Sequence, residues 1–279
     1  MAQPTPPLYA LDPALPVLLR PDGAVQVGWS PRRAVLIRPP RGMTAAGLAT
    51  LLRAMHSPVP ISELRRQPSG LSESELGDLV GQLVTAGVAT CGARRRATRS
   101  ASIRVHGRGP LSELLAEGLR CSGARVKQTN QPHAAVTSTE ADLVVLSDSL
   151  VADPRMLREL HSQGVAHLAV RIRDGTGLVG PLVVPGVTSC LDCADLHRRD
   201  RDAAWPAVAA QLRDTVGVAD RATLLATAAL ALSQVNRVIG AVRGADSEPP
   251  ASLSATLEFD VHAGSIVVRQ WPKHPLCSC

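Results

Sequence analysis

Two close cysteine pairs constrain this chain of 279 residues more than any other feature. Cys190-Leu-Asp-Cys193 is the first, and Cys277-Ser-Cys279 is the second. Each pair can close a short chelating turn, and together they supply the four thiolates of a tetrahedral site. A closed four-sulfur site suits Zn²⁺ in a structural role, because the ion is redox-inert. Whatever folds between Cys193 and Cys277 must then return the chain to where it left. The competing reading is a redox-active pair. That reading needs a helix start in a thioredoxin-like unit, and the sequence around Cys190 shows none. Cys91 and Cys121 are solitary and are not assigned as ligands. His274 lies three residues before Cys277 and is placed to orient the metal loop.

The pattern before and between the pairs is α/β. Ile103-Arg-Val-His106 reads as a strand, Leu111 to Leu119 as a helix, and Ala124-Arg-Val126 as a second strand, which makes a βαβ unit. Asp142 to Ser147 is apolar throughout its centre, as a buried parallel strand requires. Asp153-Pro154 is a helix start with Asp at the N-cap and Pro behind it. His167 to Ile172 gives a further strand, and the sheet is expected to be mainly parallel. Arg221 to Val242 reads as a long helix, and Ala255 to Val261 with Ser265 to Gln270 as an antiparallel hairpin.

The first third reads differently. Short apolar runs between Val17 and Ile37 predict a small sheet of two or three strands. Three helices follow, at Thr44 to Met55, Ile61 to Arg66 and Ser72 to Ala86. The last has Ser72 and Glu75 at capping-box spacing and Leu76, Leu79, Val80, Leu83 and Val84 on one face. A strand at Val88-Ala-Thr90 completes a winged-helix-like module. The expected organisation is a flexible arm at 1–15, that module at 16–90, a basic linker at 91–102 carrying Arg94-Arg-Arg96, and an α/β domain at 103–279.

Two further signals bear on chemistry. Gly107-Arg-Gly109 stands between a strand and a helix, where backbone N–H groups can hold phosphate. The third glycine of a dinucleotide loop is absent, and no acid ends the strand at Ala124 to Lys127. Asp148, at the end of an apolar strand, is placed either to hold Mg²⁺ beside a nucleotide or to serve as a turn or cap residue. The run His197-Arg-Arg-Asp-Arg-Asp202 reads as a solvated loop or salt-bridge cluster, with an anion-binding surface as the alternative.

Composition excludes some classes. Aromatic residues make up 2%, too few for a base-stacking platform. The net charge of +6 is a mild excess that does not by itself imply nucleic acid. The acidic start of the third helix, Ser72 to Asp78, is poor for facing phosphates. The apolar run Ala222 to Val235 is too short to span a membrane, and no secretory signal is visible. A cytoplasmic protein is expected.

The stretch Gly180-Pro-Leu-Val-Val-Pro-Gly-Val-Thr-Ser-Cys190-Leu-Asp-Cys193 and on to Pro206, with the closing His274-Pro-Leu-Cys277-Ser-Cys279, resembles the ThiF-type, ubiquitin-activating-enzyme-like proteins of azole-forming peptide clusters. These are the cyclodehydratase components or leader-peptide-binding proteins of bacteriocin biosynthesis. The resemblance covers about residues 103 to 279. The N-terminal module is similar in pattern to the peptide-recognition winged helix of that group. The resemblance implies a reduced Rossmann-like adenylating fold with structural Zn²⁺ on Cys190, Cys193, Cys277 and Cys279. It also implies ATP and Mg²⁺ at Gly107, Gly109 and Asp148, of which only Asp148 matches the family pattern well. The implied partners are a precursor or leader peptide, a separate YcaO-type enzyme and a second copy of the chain. The leading expectation is a non-catalytic scaffold that presents a peptide, with Val80 taken to line the peptide groove. An adenylyltransferase activating a carboxylate and a winged-helix DNA-binding regulator are the alternatives.

Overall fold

The computed structural model describes residues 6–67, 70–93, 99–131, 137–244 and 248–279, in two units, Met1–Arg96 and Ala97–Cys279. Arg94-Arg-Arg96 of the expected linker lies outside the described residues.

The first unit opens with a strand where a flexible arm was expected. β1 (Pro7–Leu11) is the centre of a three-stranded antiparallel sheet. Tyr9 and Leu11 pack on the unit's apolar core, which gives this segment something to bury. Next come β2 (Val17–Leu19), β3 (Val25–Val27) and β4 (Val35–Ile37), a second antiparallel sheet in the order β2-β3-β4. α1 (Ala45–Ala54) is capped by Thr44, whose hydroxyl accepts from the Gly47 N–H. β5 (Val59–Pro60) and the single turn α2 (Ile61–Leu64) lead to α3 (Glu73–Thr85). The capping box at Ser72 and Glu75 is present in both directions. β6 (Ala89–Ala93) then pairs with β1 and closes the first sheet. The apolar faces of α1 and α3 meet β1, β3 and β6 in one core.

The second unit is built on a seven-stranded sheet. β7 (Ser102–His106), α4 (Pro110–Cys121) and β8 (Arg125–Thr129) form the expected βαβ unit, with β7 and β8 parallel. β9 (Leu143–Ser147), α5 (Pro154–Ser162) and β10 (His167–Arg173) extend the parallel part. β11 (Thr176–Val183) turns back antiparallel. Two helices follow, α6 (Leu191–Arg201) and α7 (Trp205–Leu212), and then α8 (Arg221–Val242). β12 (Ala255–Asp260) and β13 (Ser265–Gln270) are the expected hairpin. The hairpin is not separate, because β12 pairs with β11 and the strand order runs β13-β12-β11-β10-β9-β7-β8. The sheet is thus mixed: β8, β7, β9 and β10 are parallel, and the other three strands run antiparallel.

By length and composition alone α8 is long and apolar enough to cross a membrane, which corrects the expectation that no segment is. Its Leu224, Ala228, Ala231, Val235 and Ile239 belong to the core shared with α4 and the sheet. That helical-period stripe is the face of a core helix.

Candidate functional site

The four paired cysteines converge. Cys190 is the N-cap of α6 and its sulfur accepts the Cys193 N–H at 3.4 Å. The tail after β13 brings the second pair alongside, with the Cys277 N–H donated to the His274 carbonyl at 2.9 Å to make the turn. Sulfur separations are 3.7 Å for Cys190–Cys193, 3.5 Å for Cys190–Cys277 and 3.4 Å for Cys193–Cys279. All four sulfurs lie within 4.8 Å of one another. A tetrahedron of Zn–S bonds of about 2.3 Å has edges of about 3.8 Å, so the donor set fits zinc with a slight expansion. Cys91 and Cys121 are exposed and stand outside the cluster.

Two details differ from the sequence reading. The Cys190 pair does open a helix, the position that argument said it lacked. The two further thiols at contact distance, rather than the helix context, are what favour a metal over a redox pair. The run from His197 to Arg201 is helical, not a loop, with Asp202 at its C-cap, and its charges are used: Arg198 pairs with Asp195 at 2.6 Å, and Asp200 accepts from His274 Nε2 at 2.7 Å.

His274 is a hinge pin for the metal loop. Its backbone N–H donates to Cys193 Sγ at 3.3 Å, and its Nδ1 accepts the Leu276 N–H at 3.1 Å. Nε2 therefore carries the proton that reaches Asp200 on α6. Burial opposes ionisation of Cys193, but the His274 N–H and the neighbouring thiols hold its pKa down to about 7. Burial pushes the Cys190 thiol well up.

Gly107, Gly109 and Asp148 also come together, but in a protein-filled arrangement. Asp148 is buried with φ of +72°, a left-handed conformation that Asp tolerates better than most residues. Its carboxylate accepts the N–H groups of Leu111 at 3.0 Å and Ser112 at 3.2 Å, together with the Ser112 hydroxyl. It therefore occupies the N-terminus of α4, where a phosphate would have to sit. A Cβ at Gly109 would meet Asp148 Oδ1 at 2.6 Å, and one at Gly107 would run into the Ser147 carbonyl. The two glycines allow Ser147 and Asp148 to approach the loop. The residues present do not fit an ATP phosphate chain at this loop unless Asp148 leaves its amides. Sequence reasoning missed Ser112, and no motif marks it.

The first unit carries an open groove. A cavity of about 310 Å³ is lined by Val35, Leu36, Ile37 and Arg38 along β4 and by Asp78, Leu79, Gln82 and Leu83 of α3. β4 is an edge strand, and Leu36 is 56% exposed on it. Val80, expected to line the groove, is fully buried in the core. Leu79 and Leu83 belong to the same buried core and also border the groove, while the exposed Asp78 and Gln82 form its polar side.

No family model and no curated protein matches the sequence. Solved structures do match the fold. A heterocyclase in complex with substrate and cofactor superposes with a TM-score of 0.67 at 15% identity, covering 98% of this chain and 39% of that one. The heterocyclase TruD gives 0.67 at 15% identity, covering 98% and 42%. This chain therefore spans about two fifths of their length. E. coli MccB with ATP gives 0.61 at 13% identity, covering 97% and 99%, and MccB in complex with N-formylated MccA gives 0.59 at 12%. The chain shares the fold of this group of biosynthetic enzymes.

Proposed function

We propose that this chain is a zinc-bound, ThiF-like scaffold that binds a short peptide through its N-terminal unit and presents it to a separate modifying enzyme of the cyclodehydratase type. The observation that carries the reading is the edge of β4 lying open beside α3. An extended peptide adds to such an edge as a further strand, and its main chain satisfies the free N–H and C=O groups of β4. Alternate side chains then enter the groove, an apolar one onto Leu79 and Leu83 and a polar one beside Asp78 and Gln82. On this reading the N-terminal unit is a winged-helix-like recognition module used for peptide, not DNA. The acidic Glu73, Glu75 and Asp78 of α3 would repel phosphates.

Zinc on Cys190, Cys193, Cys277 and Cys279 would tie the chain's tail to α6 and supply folding energy, with no open coordination position for chemistry. The sharing of fold with heterocyclases and with MccB supports a place in peptide modification. Similarity to an ATP-bound MccB keeps the adenylyltransferase as the second reading. Asp148 on the α4 amides speaks against it.

The test is equilibrium binding of fluorescently labelled precursor peptides of azole-forming clusters to the full chain and to Leu36→Glu. Leu36 is exposed, so the variant keeps its fold. Loss of binding in a folded variant supports the groove, and undiminished binding removes the peptide from β4.

A further inference from the structure

The second unit contains a cavity that neither zinc nor the peptide groove uses. It has a volume of about 470 Å³, in the range of small-molecule sites. Leu150 after β9, Arg171 on β10, Leu191 and Arg198 on α6, Trp205 on α7 and Trp271 after β13 all line it. Neither Gly107, Gly109 nor Asp148 does.

Its wall is basic. Arginines outnumber aspartates along it, and three of the five arginines are already matched. Arg173 and Arg269 pair with Glu258. Arg198 lies over the rings of Trp205 and Trp271, 5.3 and 4.8 Å from their centroids, and pairs with Asp195. Arg201 has no ion pair among the described residues but is exposed, and Arg171 is the buried arginine of this wall without one. It is 7% exposed, faces the cavity, and has no hydrogen bond or ion pair among the described residues. Asp195 contributes negative potential at Arg171, but that carboxylate already accepts from Arg198 at 2.6 Å and from Trp205 Nε1 at 3.3 Å. Burial and the neighbouring Arg198 lower the Arg171 pKa only to about 10, so the guanidinium stays charged at neutral pH.

A buried, unpaired guanidinium at the wall of a cavity is costly unless an anion completes it. We infer that this cavity binds a small molecule that presents a carboxylate or phosphate to Arg171 and rests an apolar body against Leu150, Leu191 and the two tryptophans. Arg198 is held in place by its rings and by Asp195, which leaves the planar fork of Arg171 for bidentate contact with the ligand's oxygens.

The chain has three tryptophans, and Trp29, 81% exposed in the first unit, is the only one outside the cavity. A Trp29→Phe background therefore makes intrinsic fluorescence a reporter of the cavity. Benzoate and phenylphosphate, titrated separately into the full zinc-loaded chain, distinguish the two oxyanions. The expected result is a saturable fluorescence change with at least one of them, about tenfold or more weaker in Arg171→Met. Arg171→Lys, which keeps the charge and loses the fork, should weaken binding less and serves if the methionine variant does not fold. Absence of a saturable change with both probes overturns the inference, as does equal affinity in a folded Arg171 variant.

Discussion

Replacing Asp148 by alanine separates two roles for the same residue. As a Mg²⁺ ligand, Asp148 would contribute nothing in the absence of nucleotide. As the cap of α4, it contributes at all times. The structure gives the magnitude. Asp148→Ala leaves the Leu111 and Ser112 N–H groups buried without an acceptor and also frees the Ser112 hydroxyl. Charge-assisted hydrogen bonds contribute about 1.5 kcal/mol or more each, so the two amides alone amount to about 3 kcal/mol. The α4 dipole adds to this, since Asp148 sits at its positive end. For a unit of this size about 3 kcal/mol lowers the melting temperature by roughly 6–12 °C. Asp148→Asn keeps one acceptor and the left-handed backbone, and should fall between the two. Thermal unfolding of nucleotide-free protein, followed by circular dichroism, makes the comparison. An Asp148→Ala protein that melts with the wild type, and loses a nucleotide-dependent stabilisation the wild type shows, would refute the capping argument and restore the adenylating reading.

Other outcomes follow from the same geometry. Full-length protein should carry one zinc per chain by elemental analysis, and Cys277→Ser or Cys279→Ser should lose it and melt earlier. The damage should fall on the tail after Trp271 and on the start of α6, not on the β12–β13 hairpin, whose pairing with β11 is independent of the metal. If both serine variants keep full metal and melting temperature, the site is misassigned. His167 gives a pH dependence. Burial first, and the neighbouring His161 in addition, hold its pKa at about 4 against an ordinary 6.5. The unfolded chain therefore binds a proton that the folded chain excludes, so stability is full above pH 6.5 and is lost as pH falls towards about 4. The loss reaches about 3 kcal/mol. The denaturant midpoint of the wild type should fall relative to that of His167→Leu as the pH drops across that range, and parallel curves would contradict it.

Much of the second unit was legible because its signals are local. The Asp153-Pro154 start, the apolar run of β9 and the bounds of α8 each depend on neighbouring residues. The four cysteines were legible because thiols at chelating spacing have few other uses. The rest depended on tertiary placement. The N-terminal strand β1 looks like a loose Pro-rich arm until β5 and β6 supply partners for its backbone. The sheet's antiparallel half cannot be read from β11, whose burial resembles that of a parallel strand. Val80 and Leu79 are both apolar and both buried in the core, and only packing shows that Leu79 also borders the groove while Val80 does not. Arg171 is one arginine among many in the sequence, and its burial without an ion pair among the described residues is visible only in three dimensions.

The proposed peptide lies along β4 as an added strand. Amide hydrogen exchange of the full chain, with and without a bound precursor peptide, tests it most directly. Protection should rise at Val35–Ile37 and along the Asp78–Leu83 segment of α3, with the α4 amides capped by Asp148 unchanged. Protection confined to the second unit, with β4 exchanging as freely as before, would contradict it.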